Sequence, residues 1–118
     1  MKTVLFAALL ALSVSASVDT ASTNAPFSLP PGVKIVAHDE SGKTWRQSGR
    51  AAGAVSDVRH AFSNAVARGG FVCRHVIRMD EKGEHVLEEW KRHDVQLMLM
   101  FWSAEGGKTM FSWGTFHE

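Results

Sequence analysis

Apolar residues recur in two rhythms along the chain. Val55, Val58, Phe62, Ala65 and Val66 return at steps of three and four, with Ala51, Ala54 and Ala61 on or beside the same stripe. That spacing predicts an amphipathic helix starting after Gly49. Asp57, Arg59, His60, Asn64 and Arg68 take its polar side, and Gly69-Gly70 supplies a stop. Gly53 weakens the first turn, leaving Ser56 as a later N-cap candidate.

From residue 71 the period shortens to two. Residues 71–79 set Phe71, Cys73, His75, Ile77 and Met79 against Val72, Arg74, Val76 and Arg78, a half-buried strand. Asp80-Glu81-Lys82-Gly83 is a turn, and residues 85–92 return. Two registers compete there: a three-residue loop opposes Ile77 to Leu87, and a two-residue loop puts Val86 and Trp90 on the side of Ile77. One step of slip exchanges the faces, so the pattern alone leaves both open. His93-Asp94 forms a tight connection to the longest apolar stretch, residues 95–116. Glu105-Gly106-Gly107 splits that stretch, with Gly107 suited to the left-handed position of a hairpin turn. This register opposes Phe101 to Phe111 and Leu99 to Trp113.

Before the helix, residues 33–38 and 43–46 read as a short hairpin around Asp39-Glu40-Ser41-Gly42. The predicted fold is therefore α+β: a short N-terminal β-hairpin, one amphipathic helix, then a four-stranded antiparallel meander packed on the helix. One feature does not fit a sheet covered by a single helix layer. Val95, Leu97, Leu99, Phe101, Phe111 and Trp113 share one side of the last hairpin, yet Met98, Met100, Trp102 and Met110 make its other side apolar too. A sheet with one face in water carries polar residues on that face.

The first 16 residues have the pattern of a secretory signal peptide: Lys2, an apolar run, then Val14-Ser15-Ala16. The run is too short to cross a bilayer, which takes about 20 residues. Residues 17–31, rich in Ser, Thr, Ala, Asn and Pro, read as a flexible leader whose Phe27 and Leu29 pin it to a single domain over 32–118. Export predicts a bacterial periplasmic or extracellular location. With 13 Lys and Arg, 12 Asp and Glu, and Lys2 removed with the signal, the charge balances. Balance gives no general attraction to nucleic acid or to anionic lipid, so Trp90-Lys91-Arg92 is not read as a strand-binding platform. A single cysteine, Cys73, permits no internal disulfide, and its strand position predicts a buried thiol.

Motifs for chemistry are sparse. Gly42-Lys43-Thr44 lacks the earlier glycine and the following helix of a phosphate loop. His38, His60, His75, His85, His93 and His117 are scattered; only Cys73 with His75 has the spacing of half a metal site, with His85 or Glu89 as neighbours. His75 with Glu89, or His38 with Asp39, are the acid–base pairs available, without a nucleophile at a recognisable spacing. Asp80, Glu81, Lys82, Glu84 and Glu88 read as a solvated face. No cofactor, metal or catalytic residue is assigned. The expectation is a non-enzymatic binding module using Met98, Met100, Trp102 and Met110, its partner being itself or another envelope protein. The alternatives are a structural homodimer through the same face and a small metal-dependent or acid–base enzyme.

Overall fold

A computed structural model describes residues 25–42 and 44–117. The expected signal peptide and most of the leader lie outside them. The elements in chain order are β1 (Val33–Ser41), β2 (Thr44–Ala52), α1 (Val55–Arg68), β3 (Val72–Arg78), β4 (His85–Arg92), β5 (Val95–Ala104) and β6 (Lys108–His117). All six strands join one antiparallel sheet in the order β1-β2-β6-β5-β4-β3. No helix among the described residues is long and apolar enough to cross a membrane.

This corrects the predicted architecture. The molecule is mostly sheet, and the N-terminal hairpin is not a separate unit beside a four-stranded meander. β2 hydrogen-bonds to β6 from Arg46↔Gly114 to Ala52↔Lys108, making one six-stranded sheet with a single short helix among the described residues. The error lies in the second half of β2. Ser48, Gly49, Ala51 and Ala52 have little strand propensity, but long-range pairing overrides propensity. Gly49 is specifically required: a Cβ there would lie 2.2 Å from the Lys34 carbonyl oxygen and 2.8 Å from Cζ of Phe111.

The helix crosses β5 and β6. Phe62 sits at its centre, with ring centroids 5.4 Å from Phe101 and 4.8 Å from Phe111. Val55, Val58, Ala65 and Val66 bury the rest of the stripe against Leu97, Leu99 and neighbouring core residues. The helix starts at Val55 after Ala54, without a side-chain cap, because Gly53 (φ +114°) turns the chain out of β2. Its C-terminus is held by Arg92, whose Nη1 donates to the carbonyl of Gly69 at 2.6 Å while its guanidinium lies 4.4 Å above the Phe71 ring.

Beyond the helix, Phe27 packs on the same side of the sheet, 4.9 Å from Trp113 and 6.3 Å from Phe62. Trp45 stacks on Trp113 there. Glu88 also points to this side, nearly inaccessible, and is not part of a solvated face. Arg59 Nε donates to its Oε2 at 2.7 Å and Trp90 Nε1 to its Oε1 at 2.8 Å, so both oxygens of the buried carboxylate are satisfied.

The last hairpin has the predicted register, Phe101↔Phe111 and Leu99↔Trp113, with a three-residue loop closed by Ala104↔Lys108 and positive φ at Gly106 and Gly107. The open question in the β3–β4 hairpin resolves to Ile77↔Leu87. One irregularity changes its meaning. A bulge between Cys73 and His75 moves the strand by one residue, so Cys73 opposes Trp90 on the helix side while His75 and Ile77 oppose Glu89 and Leu87 on the other.

Candidate functional site

The strand register arranges the side of the sheet away from the helix in rows that cross all six strands. One row reads Asp39, Arg46, Gly114, Met98, Glu89, His75 from β1 to β3. The next reads Ala37, Ser48, Ser112, Met100, Leu87, Ile77. A third reads Lys34, Arg50, Met110, Trp102, His85, and Met79 extends it by donating its backbone N–H to the carbonyl of His85.

The four residues expected to form an interaction face, Met98, Met100, Trp102 and Met110, thus lie together at the centre of this outer face. All four are half-buried, shielded by one another and by their neighbours. The helix and the Phe27, Leu29 and Trp45 side chains belong to the core on the opposite side. Among the described residues, no element packs over the outer face. The apolar strip extends further than the sequence suggested, through Leu87 to Ile77 and Met79, and to Phe116 at the other end. The last three are about half exposed, at 51%, 50% and 49%. Ile77 was hidden by the assumption of unbroken alternation through Arg74, and Leu87 by the ambiguous register.

The face is not flat. Gly114 and Ser112 on β6 leave a depression of about 360 Å³ bounded by Met98, Met100, Trp102, Leu87, Phe116 and Arg46. Ser48 and Ser112 cross-link β2 and β6 along it, Oγ to Oγ at 3.1 Å. In the row of Met98, a polar cluster flanks the strip. His75 Nδ1 donates to Glu89 Oε1 at 2.8 Å, and Gln96 Nε2 donates to Glu89 Oε2 at 2.6 Å. The His75 hydrogen bond holds the Glu89 carboxyl below the usual carboxylate range, with a smaller contribution in that direction from Gln96.

The other candidates fare differently. Cys73 and His75 fall on opposite faces, so they do not form half a metal site, and Cys73 is exposed instead of buried in the core. Partial desolvation, followed by the nearby Glu88 carboxylate, raises its pKa, which disfavours the thiolate. No group of three metal-ligating side chains is gathered among the described residues. His75 and Glu89 do meet, on open surface. His38 turns to Gln47 and Glu40 instead of Asp39, with Gln47 Nε2 3.0 Å from its Nδ1. Gly42 lies in the β1–β2 turn, away from any helix start.

Comparison with protein families, with curated proteins and with solved structures finds no match to the chain. The functional argument therefore rests on the site itself.

Proposed function

We propose that the chain is an exported, non-enzymatic interaction module that binds a protein surface through the outer face of its sheet. One observation carries this reading: a continuous apolar strip from Met79 and Ile77 through Leu87, Met98, Met100, Trp102 and Met110, with no described element over it. Apolar patches of this extent on soluble proteins mark contact surfaces. Methionine adapts to a partner's shape, and tryptophan is enriched among residues that dominate binding energy. The signal-like pattern at the start of the chain supports a partner outside the cytoplasm.

The test is the double variant Met100→Ser/Trp102→Ser, followed by circular dichroism and thermal unfolding. A contact face predicts a folded variant with a cooperative transition and unchanged secondary structure. Loss of the fold would mean that these side chains are core, and the proposal would fall.

A further inference from the structure

We propose that the partner of the outer face is a second copy of this chain, related to the first by a two-fold axis parallel to the strands and passing between β5 and β6. The inference rests on the contact-face reading and identifies its occupant.

The argument starts from an asymmetry. Across the row through Met100, the β1-β2-β6 half presents Ala37, Ser48 and Ser112, while the β5-β4-β3 half presents Met100, Leu87 and Ile77. In the adjacent row Gly114 neighbours Met98 in the same sense. In these two rows the side chains beside the β6–β5 boundary are small on β6 and large on β5, whereas in the third row both neighbours, Met110 and Trp102, are large. A two-fold axis along the strands lays each half on the other half of the partner: β6 over β5, β2 over β4, β1 over β3. Gly114 then meets the partner's Met98, Ser112 the partner's Met100, and Ala37 the partner's Ile77. The depression over Ser112 and Gly114 receives the partner's methionines, and the same contacts recur by symmetry.

Charge follows the same operation. Arg46 is exposed and forms no ion pair among the described residues. In its row it comes over the partner's Glu89, while Asp39 comes over the partner's His75. Each pairing occurs twice in the dimer. Aligned sheets cross at about 30°, so the register is closest at the axis and drifts towards the edges. Arg46 and Glu89 lie one strand beyond the central pair, within the reach of a long guanidinium side chain.

The alternative axis, in the face but perpendicular to the strands, does the reverse. It stacks β5 on β5, methionines and tryptophan against their own copies. Drawn through the Met100 row, it sets Arg46 towards the partner's Arg50, although Asp39 then faces the partner's Lys34. The small-to-large fit at Gly114 and Ser112 and the pairing of Arg46 with the partner's Glu89 therefore select the axis along the strands.

The area suffices. Four strands at about 4.8 Å spacing, each about nine residues long at about 3.3 Å per residue, give roughly 600 Å² in projection. Side-chain relief and the two edge strands bring this close to the roughly 800 Å² per partner of a standard interface.

The experiment is light scattering on the purified protein over a concentration series, for the wild type, Arg46→Glu, Glu89→Arg and the double charge swap. Circular dichroism confirms that each is folded. The expected result is a wild-type dimer, a dissociation constant raised tenfold or more in each single variant, and recovery in the swap, because like charges then face unlike ones again. A dimer insensitive to both single variants, or one that the swap fails to restore, would overturn the proposed axis. A monomer at every concentration that binds a hydrophobic dye would overturn the second copy while leaving the contact face for another protein. A monomer that binds no dye, together with an unfolded Met100→Ser/Trp102→Ser variant, would overturn both readings.

Discussion

The two faces of this sheet are built from alternate residues of the same strands, yet they solve different problems. On the helix side, Phe101 and Phe111 are almost wholly inaccessible and interlock with Phe62, and the buried Glu88 carboxylate is tied down by Arg59 and Trp90. On the outer side, Met100, Trp102 and Leu87 are as apolar but only half-buried, and a depression remains between them and the small residues of β6. A core fills its volume with side chains of one copy. The outer face leaves volume unfilled in a pattern that a complementary surface can occupy. Hydrophobicity alone does not separate core from contact surface; the presence of an intramolecular cover does.

Adjacent residues on β5 offer the sharpest way to break that comparison. Phe101→Ala should cost about 4 kcal/mol, since it removes a fully buried ring and leaves a cavity under the helix. Met100→Ala, next in the chain but facing outward, should cost about 1 kcal/mol or less at low concentration. Chemical denaturation of both variants checks this. Because dimerisation stabilises by mass action, the Met100→Ala penalty should grow with protein concentration while the Phe101→Ala penalty changes less. Equal penalties at low concentration would erase the distinction between the faces.

Breaking the pair between Arg59 and Glu88 comes next. Arg59→Ala strands a carboxylate that is 2% exposed, and the expected loss is about 3 kcal/mol. Adding Glu88→Gln removes the stranded charge while keeping an acceptor for Trp90, so part of the loss should return in thermal unfolding. If Arg59→Ala is silent, Glu88 is better solvated than its packing implies.

A smaller effect is expected at Gly49→Ala, about 2 kcal/mol. The new methyl collides with the Lys34 carbonyl and the Phe111 ring, and β1 and β2 must shift to admit it. In the sheet order, β5 and β4 lie two and three strands away from β2. Hydrogen exchange should therefore report loosening in β1 and β2 before β4 and β5.

These positions also mark how far the chain could be read without coordinates. The β5–β6 hairpin was legible to the residue, because long alternation and Glu105-Gly106-Gly107 fix the register together. The helix was legible from its stripe, although its start was displaced by the unseen end of β2. That end was illegible for a physical reason: Gly49 serves a close approach to Phe111, 62 residues later, and local propensity carries no trace of it. The bulge at Arg74 was equally silent, and missing it hid Ile77 from the outer face; Cys73 does lie on the helix side, but β3 is an edge strand whose residues are all exposed. Glu88 looked solvated because a lone carboxylate in a strand gives no sign of an arginine waiting on the helix above. Of the candidate site, the large apolar side chains Met98, Met100, Trp102 and Met110 were read directly, on alternation alone. The small residues Ser48, Ser112 and Gly114 had a signal too, their outward positions, but it gains meaning only when β2 is placed beside β6.

The faintest effect sits at the border of the outer face. Glu89 has a lowered folded pKa because His75 donates to its carboxylate, so the linked stability is present above the unfolded value of about 4.3 and is lost as pH falls through the lowered folded value. Glu89 is open to solvent, so the change in monomer stability should be slight, and carbon-detected NMR titration is the suitable readout. His75→Ala should move the Glu89 titration back up towards the ordinary carboxylate range. The proposed two-fold dimer would add the partner's Arg46 over Glu89, which should depress the titration further as concentration rises, and Arg46→Glu should abolish that increment. A Glu89 titration that follows His75 but ignores concentration would assign the cluster to the border of a single chain, with no part in an interface between two.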